Sequence, residues 1–106
     1  MSLYMLQKLL YELNRDPRVQ EEFTADREEV ISRYRLTGEE AEAVRADDVG
    51  MLYILGVNGQ ILLQFAAWRG FAWDEYIHAM KAALAKHGQV RGGLYAAVDG
   101  GEGGAV

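Results

Sequence analysis

The chain has no cysteine and a single proline among its 106 residues. It can therefore form no disulfide, thiolate metal ligand or thiol nucleophile. Serine occurs only at Ser2 and Ser32, and neither stands in a nucleophile-elbow or Ser-x-x-Lys context. Histidine occurs only at His78 and His87. On one helix, at about 100° per residue, these two point to opposite sides and cannot converge on a metal. No apolar run approaches the roughly 20 residues that cross a bilayer, and no charged-then-apolar leader opens the chain. Lys and Arg number 11 against 16 Asp and Glu, a formal charge of −5. The acidity is spread along the chain, with no basic stripe to neutralise nucleic-acid phosphates or an anionic membrane. These absences predict a cytoplasmic protein with no nucleic-acid and no membrane partner.

What is present is half apolar and helical in rhythm. Leu3, Leu6, Leu9, Leu10 and Leu13 recur at three and four, an amphipathic helix with Lys8 and Glu12 off the stripe. Asp16-Pro17 is a cap followed by proline at the first helical position, and Val19 and Phe23 face inward from the helix it starts. Asp26 with Glu29, and Thr37 with Glu40, are capping-box patterns that open further short helices. The block from Asp47 to Glu75 admits two local readings. Asn58-Gly59 between two apolar runs is a hairpin signal; Asp48 and Asn58 are equally helix caps, with Gly56 and Gly70 as stops. Neither Leu52–Leu55 nor Ile61–Leu63 alternates with polar residues as half-buried strands do, and no other segment resembles a strand. Two short buried helices are therefore expected. A last helix spans Trp73 to His87, with Tyr76, Ile77, Met80 and Leu84 on one face and Gly88 as its stop.

The expected fold is all-α, a small orthogonal bundle of about five to seven short helices. Residues 1–88 form the helical domain. Residues 89–106, rich in glycine and ending DGGEGGAV, form a flexible tail in which LYAAV could dock on the core or on a partner.

Few residues invite a chemical role. Asp74 and His78 are an i, i+4 pair, either an oriented general base or a helix-surface pair worth a few tenths of a kcal/mol. The acidic clusters lack EF-hand spacing and sit in first helical turns, where negative charge is favoured. Gly56-Val57-Asn58-Gly59 lacks a P-loop lysine. Five aromatics, Phe65, Trp68, Phe71, Trp73 and Tyr76, crowd into twelve residues around Arg69-Gly70. Trp68, Arg69, Phe71 and Trp73 are thereby candidates for a partner interface or a pocket wall, because Trp, Tyr and Arg are enriched where partners dock.

Three pieces carry a resemblance to a known family. They are the opening K-L-L…D-P-R-V…F, the turn Y-R-L-T-G-E-E followed by R-A-D-D, and the helix-loop-helix around Gly56–Gly59. Over residues 3 to about 87 the chain resembles the small (alpha) subunit of protocatechuate 4,5-dioxygenase, the LigA-like family. The resemblance implies an all-α fold and a non-catalytic role. The large (beta) subunit of such an extradiol dioxygenase holds Fe(II) through two His and one carboxylate and opens a catechol-type acid beside its diol. The small subunit packs over the mouth of that site and meets the aromatic substrate only indirectly. No cofactor is then bound by this chain, and Fe(II) belongs to the partner. Asn58 and Gly59 match the family's glycine-and-asparagine turn and are the candidates to approach the partner's site. Two alternatives remain. One is a stand-alone module that self-associates as a homodimer or holds a small ligand through its aromatics; the other is an enzyme using Asp74 and His78.

Overall fold

The structure, a computed structural model, describes residues 2–91. Those residues form seven helices and, among them, no strand: α1 Ser2–Arg15, α2 Pro17–Ala25, α3 Arg27–Ser32, α4 Gly38–Arg45, α5 Val49–Leu55, α6 Gly59–Trp68 and α7 Trp73–His87. The helical reading of the Asp47–Glu75 block holds. No helix among the described residues is long and apolar enough to cross a membrane. The LYAAV segment lies outside the described residues.

Side chains on the preceding loops start these helices. Asp16 accepts from the Arg18 N–H ahead of α2, with Pro17 at the position where a missing N–H costs nothing. Asp26 accepts from Glu29 N–H, one half of the expected capping box. Thr37 and Glu40 complete theirs reciprocally, at 3.1 and 2.8 Å. Asp48 caps α5 through Met51 N–H, and Asn58 caps α6 through the N–H groups of Gln60 and Ile61. Gly56, at φ 104°, ends α5 in the left-handed region, where a side chain would be strained.

The leucine stripe of α1 fills the centre. Leu6, Leu9, Leu10 and Leu13 are fully buried with Phe23, Val44, Leu52, Leu62 and Phe65. Glu12, off the stripe, accepts a hydrogen bond from the Tyr34 hydroxyl. Burial, reinforced by that carboxylate, pushes the Tyr34 phenol above its usual value of 10.0. Four carboxylates of α2–α4 lie outside this core and are spent on arginines: Arg33 pairs with Glu22 and Glu29, and Arg45 with Glu28 and Glu42. The Arg45 hydrogen bond lowers the Glu28 carboxyl, and that of Arg33 lowers Glu29.

Helix α7 packs principally on α5. The approach is close because Gly50 faces small residues: a Cβ built on it would lie 2.7 Å from the Ala79 carbonyl oxygen and 3.0 Å from Ala83 Cβ. Of the fifteen residues of α7, only Tyr76 is buried. Arg91 closes the described chain by donating its N–H to the Ile54 carbonyl at 2.7 Å.

Two predictions follow from this packing. Gly50→Ala should destabilise by about 1–3 kcal/mol, since the backbone of α7 must move, although alanine favours a helix by about 1 kcal/mol. Gly59→Ala, with nothing within 4 Å of its Cβ, should be neutral or slightly stabilising; urea unfolding of the two variants provides the comparison. The second concerns alkaline pH. A phenol raised in the folded state contributes stability in full below its unfolded value near 10.0. That contribution is lost as pH rises toward the folded value, because the native state there holds a proton the unfolded chain has released. Stability should thus fall above about pH 10, and Tyr34→Phe should flatten that fall.

Candidate functional site

The six candidate residues do not form one site; they divide between the two ends of α6 and the start of α7. The ends of α6 are about 14 Å apart at 1.5 Å per residue.

At the N-terminal end Asn58 and Gly59 are exposed. The Asn58 side chain is spent on the helix cap, while its backbone N–H donates to Gln7 Oε1 at 2.5 Å. Gln7 is buried, so this bond fixes the turn against α1. A second tie lies further along, where Asn14 Nδ2 donates to the Ile61 carbonyl at 3.0 Å. Beside the turn, Tyr4, Lys8 and Tyr11 of α1 face Ile61 across a shallow groove of about 350 Å³. Tyr4 and Tyr11 are 62 % and 45 % exposed, two of four large apolar side chains so open among the described residues. The sequence reading passed over these tyrosines. Their signal was positional: residues 4, 8 and 11 share the face of α1 opposite its leucines.

At the C-terminal end Trp68 and Arg69 come together, largely within the chain. The Trp68 ring lies tilted against Phe23 at 5.9 Å and Phe65 at 6.2 Å between centroids. The Arg69 guanidinium sits 4.8 Å from the Trp68 ring centre, and that of Arg27 sits 4.8 Å from the Phe23 ring. One carboxylate joins the two arginines, with Asp47 Oδ1 lying 3.1 Å from Arg69 Nε and 3.7 Å from Arg27 Nη1. Asp47 holds a left-handed backbone, φ 53°, uncommon for a non-glycine residue and tolerated by Asp better than by most. This corner ties α2, the α4–α5 turn and α6 together. Trp68 also walls an open concavity with Pro17, Gln20, Glu21, Thr24 and Ala25.

Phe71 is half-buried on the turn, and its N–H donates to the Ala66 carbonyl at 2.9 Å. Trp73, by contrast, is 65 % exposed and leans on Tyr76. Asp74 and His78 both line a shallow notch with Trp73, Ile77 and Lys81, yet no hydrogen bond joins them among the described residues. His78 is exposed to water. Among the described residues no group of three or more His, Cys, Asp or Glu is arranged to hold a metal ion. An iron of the family type therefore finds no ligand set in this part of the chain.

Comparison with known proteins yields one family. Residues 6–87 match the family model described as "Aromatic-ring-opening dioxygenase LigAB, LigA subunit". No curated protein matches the chain, and no solved structure does.

The Asp47 corner generates a stability prediction. Asp47→Ala removes both ion pairs and leaves a strained left-handed residue, and should cost about 1–3 kcal/mol. Asp47→Asn keeps a side chain suited to that backbone and should cost less. Equal losses on urea unfolding would show that the backbone conformation contributes nothing.

Proposed function

This chain belongs to the LigA family, the LigA subunits of LigAB aromatic-ring-opening dioxygenases, and from that premise we propose that it is a non-catalytic subunit that caps and shapes the active site of an Fe(II)-dependent extradiol dioxygenase. The family match over residues 6–87 is the observation that carries the reading. A LigA subunit implies a LigB partner, and the iron and its ligands belong to that partner in this reading. The substrate class is a catechol-type aromatic acid, met by this chain only at the edge of the partner's site.

A cap contributes by excluding water and fixing pocket shape, and this needs a rigid surface without a nucleophile. The N-terminal end of α6 suits that role. Asn58 and Gly59 are exposed, the turn is pinned to α1 through buried Gln7, and Tyr4, Tyr11 and Ile61 supply apolar surface beside it. An exposed glycine lets a partner's backbone come close. Trp68, Arg69 and Phe71 act one step back in this reading: they hold the corner that sets the far end of α6, and so aim its near end.

Adding the chain to its LigB partner should raise kcat/KM for a catechol acid by about tenfold or more, the scale of a pocket-shaping effect. Gly59→Glu places a carboxylate in open space at a helix N-terminus, where the fold accepts it. That variant should fold normally and lose most of the enhancement. An unchanged kcat/KM on adding the natural chain would remove the proposal.

A further inference from the structure

We infer that α7 carries a self-complementary face through which two copies of this chain pair about a two-fold axis. This goes beyond the LigB reading and does not depend on it. Helix α7 has two apolar stripes. Tyr76, Ala79 and Ala83 turn toward α5, where Gly50 lets the helices close. The second stripe is Trp73, Ile77, Met80 and Leu84, about 100° around the helix at 100° per residue. Trp73 is largely exposed and the other three are half-buried, so the described residues cover this stripe only in part.

The spacing of that stripe is four, three, four, which reads the same in both directions. An antiparallel copy turned about an axis between residues 78 and 79 sets Trp73 against the partner's Leu84 and Ile77 against the partner's Met80. This is the isologous geometry of a C2 contact, built from the i, i+4, i+7 anchors of helix docking. The notch at Trp73, Ile77 and Lys81 gives such a side chain somewhere to seat.

Charge agrees with the same pairing. Asp74 and Lys81 flank the stripe on one side, and neither makes an ion pair among the described residues. In the antiparallel arrangement Asp74 comes within about 3 Å of register with the partner's Lys81, and the reverse pair forms by symmetry. The opposite choice, pairing through α2–α4, would bring together surfaces dense in carboxylates already satisfied by their own arginines. A helix pair about 22 Å long lies at the small end of specific interfaces, so the dimer should form at about micromolar concentration.

Sedimentation velocity on the full chain alone, across a concentration series, tests this. The expected result is a shift from 11.9 kDa to twice that mass with rising concentration. Asp74→Lys alone and Lys81→Asp alone should each weaken dimerisation by about tenfold, and the double exchange should restore it. Both positions are exposed, so the variants keep the fold, which circular dichroism verifies. A chain monomeric throughout the series overturns the inference. So does a dimer indifferent to the single exchanges and to Ile77→Asp, since its contact then lies on another face.

Discussion

Six of the seven described helices, α2 to α7, depend on a side chain that satisfies their first turn. Five of the seven helices run only six to ten residues. Helices that short do not persist alone in water, because nucleation costs more than so few backbone bonds return. Each also leaves four N–H groups without partners at its start. Asp16, Asp26, Thr37, Asp48 and Asn58 answer that demand in turn, and at α7 the Glu75 carboxylate accepts from Ala72 N–H. The acidity of the chain has a structural origin here, since carboxylates gather where helices begin. The leucines of α1 then supply the common surface on which the short helices close.

The caps were legible in the sequence because a cap is a local event, spanning three residues. The choice of helices over a hairpin in the Asp47–Glu75 block was legible for a similar reason: apolar residues that fail to alternate exclude a half-buried strand. The surroundings of the candidate residues were not legible. Trp68 and Arg69 read only as a partner interface or pocket wall because their surroundings, Phe23, Arg27 and Asp47, lie more than twenty residues away in the chain. Nothing local marks Gln7 either, since the Asn58 N–H that it accepts lies 51 positions on. Nothing local marks Asp47 for a left-handed backbone. That conformation is imposed by the turn from α4 into α5 and stabilised by two distant arginines.

The two ends of α6 therefore have different physical characters. At Trp68 the aromatic and cationic groups are used up in packing against one another, so the surplus of aromatics reads as internal bracing. At Asn58 the polar groups are used up in holding the turn still, and what remains open is backbone, glycine and the two tyrosines of α1.

Glycine at position 50 and alanines at 79 and 83 let helix α7 approach α5 until backbone meets side chain. Small residues, however, bury little apolar area, at about 25 cal/mol per Å². The helix gains a fixed position more than it gains burial. Its larger apolar residues, Trp73, Ile77, Met80 and Leu84, are carried on the flank, Trp73 largely exposed and the other three half-buried. The close seat on α5 and the partly covered stripe are thus two consequences of one choice of residues. Enlarging the small residues to bury more area would lift the helix from its seat, and trimming the large ones would leave it with little apolar surface to bury. A helix so constituted is rigid enough to present a face and apolar enough to need one covered, which is the physical condition for association.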